Sequence, residues 1–374
     1  MDSIELRHEL HRHPELSGQE SGTAARIATF FAALRPDMVV TGLGGTGLAF
    51  GFGSDADGPT LLLRCELDAL PIQETNQMAY RSATAGASHK CGHDGHMAIL
   101  AQVGVELAKH RPTNGRVVLL YQPAEESGAG AAAVIADRDF ERLRPDYVFG
   151  LHNLPGFPLG EVVLRAGTFA CASRGMIVRL KGKTAHAAQP ETGVSPASAM
   201  CRLVDEFNNL AERTGIGNEL VLATVVGAHL GDNSFGIAPD TAAVYATLRS
   251  ESDTTMQKVV SHCESLVAEV AAAQRLSAEV KYEEIFSATI NAATAVDAIE
   301  RSCHDLPHTR VEQPFRWSED FGRFTRIAEG AFFGLGAGTG RPQLHNDDYD
   351  FPDELIETGS RVFLRIVDNY LQRA

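Results

Sequence analysis

At positions 117–126 the chain reads Val117-Val-Leu-Leu-Tyr-Gln-Pro-Ala-Glu-Glu126, a short apolar run followed by a proline and two adjacent carboxylates. Three further short apolar runs, each bounded by Gly or Pro and alternating with helical stretches, lie at 46–52, 60–63 and 147–150. This alternation predicts an α/β fold with a mixed, largely parallel and buried sheet flanked by helices. The functional groups of such a sheet collect in loops at the strand ends, where we expect Glu125 and Glu126 to lie.

The length of the chain and the order of its later elements predict two domains. The 374 residues exceed the size at which one hydrophobic core usually stops growing. Between residues 176 and 283 the pattern follows the order strand-helix-strand-strand-helix-strand, with its first helix expected over 195–213. This order is typical of a ferredoxin-like α+β domain. We therefore predict that a domain at 175–286 is inserted into a domain formed by 1–174 and 287–374.

Charge and cysteine content exclude several classes of protein. The formal net charge of −15 at pH 7 argues against nucleic acid and anionic membranes as partners. The chain has neither a run of 18 or more apolar residues nor a signal-peptide pattern, so we expect a cytoplasmic protein. Its six cysteines are scattered without paired spacing, which indicates reduced thiols rather than a disulfide framework.

The hexapeptide Cys91-Gly-His-Asp-Gly-His96 is a candidate metal site. Thiolate, imidazole and carboxylate are ligand types that hold transition metals, and glycines let the backbone fold tightly around an ion. The alternative is a structural cysteine beside a helix start, with Asp94 as the N-cap of the apolar run 97–107.

Three other segments place polar side chains at the ends of predicted strands. The adjacent Glu125 and Glu126 point in different directions, so one can ligate a metal while the other acts as a general base. His152 follows the apolar run 147–151, and His345 lies in a Gly/Pro-rich loop before the C-terminal helix. Taken singly, the two glutamates are typical of solvated surface, His152 of a hydrogen-bonded polar residue and His345 of an exposed turn.

Together these segments resemble the M20 metallopeptidase superfamily, and most closely its amidohydrolase branch of hippurate hydrolases, N-acyl-amino-acid deacylases and auxin-conjugate hydrolases. The resemblance extends in order over nearly the whole chain. It rests on His11-Arg-His-Pro-Glu15, Arg64-Cys-Glu-Leu-Asp-Ala-Leu-Pro71, Lys90-Cys-Gly-His-Asp-Gly-His-Met-Ala98, Gln122-Pro-Ala-Glu-Glu126, Gly150-Leu-His152, Lys181-Gly-Lys-Thr-Ala-His-Ala-Ala188, Trp317-Ser-Glu-Asp-Phe321 and the His345 loop.

The resemblance implies a catalytic domain with a dinuclear metal centre, interrupted by a lid domain that commonly also forms a homodimer. It implies Glu125 as the general base for a metal-activated water and the lid residue His186 as the group that stabilises the oxyanion; the alternative for His186 is a buried polar residue at a turn. The implied metal ligands are Cys91, His93, Glu126, His152 and His345. Asp68, Asp94 and His96 are expected to support these ligands from behind.

Two departures from the family pattern bear on the site. Glu66 stands where the wider superfamily has a metal-binding histidine, so the hexapeptide must supply ligands instead. Phe235-Gly-Ile-Ala-Pro-Asp240 stands where many relatives have Asn-Val-Ile-Pro-Asp, so Gly236 replaces an asparagine that helps to hold substrate. Arg249 remains a candidate for pairing with a substrate carboxylate, or is a solvated arginine.

The predicted function is metal-dependent hydrolysis of the N-acyl bond of a small molecule similar to an N-acyl-amino acid. The mixed thiolate, imidazole and carboxylate set favours two divalent ions, manganese or zinc, with cobalt or nickel as alternatives. A dipeptidase or aminopeptidase with the same centre is the alternative enzyme. A non-catalytic, metal-bearing small-molecule binder is the alternative from another class.

Overall fold

The structure is a computed structural model that describes residues 1–53, 58–215, 219–371 and 373. Within these residues the α-helices are α1 (Ser3–Arg12), α2 (Ser21–Ala32), α3 (His93–Lys109), α4 (Gly130–Ala136), α5 (Ala197–Asn208), α6 (Leu210–Thr214), α7 (Asp253–Ala273), α8 (Ala293–Ser302) and α9 (Glu354–Tyr370). Short 3-10 helices lie at Arg138–Arg142, Pro190–Thr192 and Asp320–Arg323.

The strands of the described residues form one large sheet and three smaller ones. They are β1 (Met38–Leu43), β2 (Gly47–Gly53), β3 (Thr60–Glu66), β4 (Arg116–Gln122), β5 (Tyr147–Pro155), β6 (Val162–Leu164), β7 (Gly167–Ala170), β8 (Ala172–Lys181), β9 (Ala185–His186), β10 (Val221–Leu230), β11 (Ile237–Ala238), β12 (Thr241–Ser250), β13 (Ser277–Phe286), β14 (Thr289–Asn291), β15 (His308–Arg310) and β16 (Glu329–Gly338).

The chain divides into two compact units. The first unit comprises Met1–Phe169, Thr289–Pro314 and Glu319–Ala374, and the second comprises Ala170–Ala288 and Phe315–Ser318. The boundaries predicted from the sequence are 174/175 and 286/287. The grouping of the short segment Phe315–Ser318 with the second unit was not predicted.

The first unit is built on an eight-stranded sheet of order β1-β2-β4-β3-β5-β16-β6-β15. Its centre is parallel, since β3 pairs in parallel with both β4 and β5, and β16 pairs in parallel with β5. Strand β3 is buried along its whole length, as expected for a parallel strand covered on both faces. The mixed, largely parallel sheet flanked by helices confirms the predicted fold class.

Helices α2 and α3 cover this sheet through apolar side chains. The Phe31 ring of α2 is fully buried and stacks on Phe50 of β2 with ring centroids 4.0 Å apart. Helix α3 is buried on nearly every side, which fits the scarcity of charged residues between Met97 and Leu107. These contacts fix the N-terminal end of α3 at the carboxyl ends of the parallel strands.

The second unit has a four-stranded antiparallel sheet of order β10-β12-β8-β13. Its chain order, with α5 after β8 and α7 after β12, is the ferredoxin-like order that the sequence predicts. The prediction of a single helix over 195–213 was wrong, because the segment forms α5 and α6. Helix α5 begins after Pro196, which lacks an N–H to donate. The helical segment breaks at Asn209, whose side chain donates to the Asp205 carbonyl at 2.8 Å.

Among the described residues, no helix is both long and apolar enough to cross a membrane.

Candidate metal centre

The predicted metal ligands of the first unit lie together at the carboxyl ends of its parallel strands. Glu125 and Glu126 follow β4, and His152 lies near the end of β5. Cys91 and His93 stand at the start of α3, and His345 follows β16. The end of a parallel sheet is where α/β proteins bring together polar groups from segments distant in sequence.

Gly92 shapes the backbone between Cys91 and His93. Its φ of +92° is in the left-handed region, and a Cβ on Gly92 would lie only 2.5 Å from the Asn153 side-chain oxygen. Gly92 is the N-cap of α3, so the alternative of Asp94 as the N-cap was wrong: Asp94 lies inside the first turn. The tight glycine turn aims the Cys91 and His93 side chains at one region.

Two sets of donor atoms share the Cys91 thiol. In each set the candidate ligand atoms lie within 4.8 Å of one another: Cys91 with His93 and His152, and Cys91 with Glu126 and His345. Cys91 Sγ is 3.4 Å from His152 Nε2, and Glu126 Oε1 is 3.8 Å from His345 Nε2. All five predicted ligands are therefore brought together.

Hydrogen bonds to backbone carbonyls set the tautomers of two histidines. His93 Nδ1 is 2.9 Å from the Asp68 carbonyl, and His152 Nδ1 is 2.9 Å from the Asn153 carbonyl. Because a carbonyl can only accept, each Nδ1 carries a proton and donates it. In the neutral form of each ring, Nε2 then presents a lone pair, as a metal-binding imidazole requires.

Buried polar atoms without partners test whether these residues fit a cation. His93 Nε2 and Glu126 Oε1 are buried and have no hydrogen-bond partner, and they lie 3.9 Å apart. Buried polar atoms in folded proteins are almost always paired, so two such atoms facing each other need an explanation. A cation that accepts their lone pairs provides it, and the residues fit a metal site.

Titration behaviour points to an excess of buried negative charge. Burial raises the pKa of Glu126 to about 7 even though nearby His93 lowers it. Burial also raises the pKa of the Cys91 thiol, and the carboxylates of Glu126 and Glu125 raise it further. Burial opposes protonation of His93, but Asp68 and Glu66 outweigh it and raise its pKa to about 10. Bound cations would neutralise this charge in place of protons.

Glu125 occupies a carboxylate-rich pocket beside the shared ligands. Its Oε2 is 3.9 Å from His93 Nε2, and its side chain groups with Glu319 and Asp320. Burial raises the pKa of Glu125 well above the usual value, and Glu319 raises it further. The fully buried Arg64 guanidinium partly offsets this charge, since it bonds to Glu319 at 2.9 Å and Asp320 at 2.6 Å.

Asp68, Asp94 and His96 bond to the elements that carry the candidate ligands. Asp68 Oδ2 accepts the Glu126 backbone N–H at 3.0 Å, in addition to the Asp68 carbonyl contact with His93. Asp94 pairs with Arg7 and His11 of α1. His96 has Glu66 2.7 Å from one nitrogen and Asn153 2.5 Å from the other.

His186, Gly236 and Arg249 belong to the second unit. His186 lies in β9 opposite Ile237 of β11, and its exposed ring accepts the Ala188 N–H. Gly236 precedes β11, and its carbonyl accepts the Ala187 N–H. Arg249 is partly buried, and its Nη1 donates to the Arg316 carbonyl at 3.0 Å and to Ser318 Oγ at 2.9 Å.

Several supporting residues were missed by reasoning from the sequence. Arg64, Glu319 and Asp320 lie within the quoted motif strings, but local spacing could not relate segments more than 250 residues apart. Asn153 follows His152 directly, and only the fold shows its contact with His96.

Comparison with known proteins adds independent evidence. Residues 62–369 match Peptidase family M20/M25/M40. An N-acetyl-L-cysteine deacetylase of Bacillus subtilis is 31% identical over 88% of this chain and 80% of its own length. A hippurate hydrolase of Campylobacter jejuni is 28% identical over 98% and 96%.

A solved structure from Bacillus subtilis, described as a dinuclear metal binding peptidase from the M20 family, shares the fold. It superposes with a TM-score of 0.82 at 24% identity, covering 97% of this chain and 96% of its own. The sequence match extends over most of the chain, and the resemblance inferred from its motifs is confirmed: the chain belongs to Peptidase family M20/M25/M40.

Proposed function

We propose that the protein is a metal-dependent amidohydrolase that cleaves the N-acyl bond of a small molecule similar to an N-acyl-amino acid. The observation that carries the proposal is the convergence of four donor side chains, those of His93, Glu126, His152 and His345, on the Cys91 thiol with Glu125 beside them. The deacetylase and hippurate hydrolase relatives, both named for hydrolysis of N-acyl compounds, support the substrate class.

Two groups of these residues would each hold a divalent ion: Cys91 with His93 and His152, and Cys91 with Glu126 and His345. Manganese and zinc are the preferred ions, with cobalt and nickel as alternatives, because the ligand set mixes soft and hard donors. Such ions, when bound, lower the pKa of a water molecule and polarise a substrate carbonyl.

Glu125 serves as the general base. Its carboxylate takes the proton of the attacking water, and the same carboxyl then gives that proton to the leaving amine. Its raised pKa suits the second transfer, because a carboxyl that holds its proton firmly can carry it between two sites. Asp68 holds His93 and the Glu126 backbone in position, while Asp94 and His96 fix the first turns of α3.

The second unit supplies the remaining proposed roles. His186 stabilises the oxyanion of the tetrahedral intermediate, and its exposed ring leaves it accessible. Arg249 pairs with a substrate carboxylate; its contacts with Arg316 and Ser318 preset its orientation. Because Gly236 offers no side-chain amide, recognition of the substrate carboxylate rests more heavily on Arg249.

We also propose that the second unit mediates a homodimer. Strand β10 lies at the edge of its sheet, where backbone groups are available for pairing. Apolar side chains of this unit are exposed to solvent, including Val226 of β10 at 66%, Ile237 of β11 at 52% and Phe235 at 100%. Exposed apolar groups on an edge are typical of a protein interface.

Metal analysis followed by a substrate panel tests the proposed activity. The panel compares N-acetyl- and N-benzoyl-amino acids with free dipeptides, using the metal-loaded protein. Preferential cleavage of the N-acyl compounds is expected. Preferential cleavage of dipeptides would identify a dipeptidase or aminopeptidase instead, and binding of these ligands without cleavage of any would identify a non-catalytic binder.

A further inference from the structure

His345 is held in an unfavourable backbone conformation. Its φ is +65°, in the left-handed region that non-glycine residues rarely occupy. Its side chain is 52% exposed, so packing around the ring does not fix its position. A conformation of this kind persists only where neighbouring contacts impose it. The contacts that impose it must therefore act on the backbone of the turn that carries His345.

Lys90 bonds to this turn at two points. Its carbonyl accepts the His345 N–H at 2.8 Å, and its ammonium donates to the Tyr349 carbonyl, also at 2.8 Å. Lys90 itself is fully buried and directly precedes Cys91. One residue thus holds both ends of the 345–349 turn and joins it to the segment that supplies the shared thiol.

Glu74 directs the Lys90 ammonium. Its Oε1 lies 2.6 Å from Lys90 Nζ, and the same carboxylate is fixed by His11 Nε2 at 3.0 Å and by the Ser82 N–H at 2.6 Å. A buried ammonium needs such a partner, because removal from water is costly without one. The ion pair with Glu74 keeps the Lys90 ammonium in its hydrogen bond to the Tyr349 carbonyl.

The residues after Glu74 reinforce the same turn. The Thr75 N–H donates to the Asp347 carbonyl at 3.1 Å, and the Asn76 side chain donates to the Asp348 carbonyl at 3.0 Å. Tyr349 is itself buried, and its hydroxyl accepts from Asn153 at 2.6 Å. The backbone carbonyls of the turn therefore accept hydrogen bonds from Lys90, Thr75 and Asn76, and these bonds hold it in place.

We infer that Lys90 and Glu74 are positioning residues that hold His345 at the metal centre. The inference rests on the proposed function, since it assigns His345 to one of two ions. It follows that Lys90 and Glu74 govern the ion held by Cys91, Glu126 and His345. The group Cys91, His93 and His152 contains no residue of the 345–349 turn, so its affinity for an ion should change much less.

Calorimetric titration of the metal-stripped full-length chain with Mn²⁺ alone tests this inference. Lys90→Met removes the ammonium and keeps the length of the side chain. One Mn²⁺ site is expected to weaken by about 10- to 100-fold, the usual effect of losing a residue that orients a metal ligand. The other site is expected to keep its affinity within about twofold.

Two further variants guard against a general loss of structure. Lys90→Met combined with Glu74→Gln removes both buried charges, so it gives the same readout if Lys90→Met alone does not fold. Ser302→Ala is the matched control. Ser302 is also buried and bonds to the Ala298 carbonyl and to Asn369 at 2.8 Å each, but it does not contact the 345–349 turn. Both Mn²⁺ affinities should be unchanged in Ser302→Ala.

A double-mutant cycle with His345→Ala separates positioning from general destabilisation. If Lys90 acts through His345, Lys90→Met should cost no further Mn²⁺ affinity in the His345→Ala background. Two Mn²⁺ sites that are unaffected by Lys90→Met, or losses that add in the double variant, would overturn this inference and leave the proposed function standing. A wild-type chain that binds no divalent ion would overturn both.

Discussion

Glu125 is distinguished from Glu126 by its surroundings and not by its residue type. Both carboxylates lie 3.9 Å from His93 Nε2, but Glu126 Oε1 also faces His345, whereas Glu125 groups with Glu319 and Asp320. The first arrangement suits a metal ligand and the second suits a carboxyl that binds a proton strongly. The two adjacent residues can thus have separate tasks in one site.

The Glu125→Gln substitution tests whether Glu125 is the general base and Glu126 the metal ligand. It keeps the shape of the side chain but removes the group that accepts a proton, so we expect turnover to fall by at least about 100-fold while metal content is unchanged. Glu126→Gln should instead lower metal content. Activity and metal analysis of both purified variants provide the measurement. Full activity in Glu125→Gln would refute its assignment as the base.

Glu74 makes the free energy of unfolding depend on pH in the acid range. Burial acts to raise its pKa, but hydrogen bonds from His11, Lys90 and the Ser82 N–H lower it from 4.5 to about 2. Because the folded-state pKa is below the unfolded value, this contribution is fully present above about pH 5 and is lost as the pH falls towards 2.

We therefore expect Glu74→Gln to be less stable than the wild type at pH 6 by roughly 2 kcal/mol, and this difference to shrink as the pH falls to 3. Urea denaturation of the metal-free proteins at pH 6, 4 and 3 measures it. A difference that stays constant over this range would show that the carboxylate charge does not contribute.

Among the elements, α2 packs against the sheet through the fully buried Phe31 ring. Phe31 stacks on Phe50 and meets Tyr121 edge to face, with ring centroids 5.6 Å apart. It also lies under Gly104 of α3, where an added Cβ would come within 2.5 Å of the ring. The fit between α2, α3 and the sheet therefore depends on a glycine opposite an aromatic ring.

Replacing Phe31 by Ala should lower the free energy of unfolding by about 3–5 kcal/mol, because it leaves a cavity in this aromatic cluster. Val39→Ala, at a β1 position that is 48% exposed, is the control and should change it by less than about 1 kcal/mol. Equilibrium urea denaturation of the two variants gives both values. A similar effect of both substitutions would contradict the packing role of Phe31.

At the scale of the whole molecule, the chain is a member of Peptidase family M20/M25/M40 and a metal-dependent hydrolase of amide bonds. The candidate centre draws its side chains from β5, from the start of α3 and the segment before it, and from loops that follow β4 and β16. Metal binding should therefore stabilise the fold of the first unit as well as create its activity.

Chelation of metal should lower the thermal unfolding midpoint, because each ion present at 100 times its Kd adds about 2.7 kcal/mol to stability. Cys91→Ala should abolish most of this difference, since both ligand sets use Cys91. Cys201→Ala, which removes an exposed thiol, should retain it. Calorimetric scans with and without chelator provide the comparison, and an undiminished shift in Cys91→Ala would argue against a shared thiol ligand.

The proposed dimer has a separate test in the second unit. Val226→Lys places a charge on the exposed edge strand β10 and should shift the protein from dimer to monomer in sedimentation velocity experiments. Arg138→Ala, at a 94%-exposed side chain of the first unit, is the control and should leave the sedimentation coefficient unchanged. A wild-type protein that sediments as a monomer would contradict the proposal.

Sequence by itself determined the fold class, the family and the residue types of the metal centre. Buried strands correspond to apolar runs bounded by Gly or Pro. The motif strings Lys90-Cys-Gly-His-Asp-Gly-His96 and Gln122-Pro-Ala-Glu-Glu126 are likewise local patterns. Local patterns can be read without knowing which segments meet. The break at Asn209 was not predicted, because a hydrogen bond from a side chain to the backbone leaves little trace in the periodicity. Strand β1 was not predicted, because an exposed edge strand has weak periodicity.

Only the tertiary structure decided which supporting residues meet. Arg64 reaches Glu319 across 255 residues of sequence, and Lys90 reaches Tyr349 across 259. The left-handed backbone at His345 is equally invisible in the sequence, because no glycine marks it and the Lys90 carbonyl that bonds to its N–H lies 255 residues earlier in the chain. Contacts of this kind depend on how parallel strands bring their ends together, and that is a property of the folded chain.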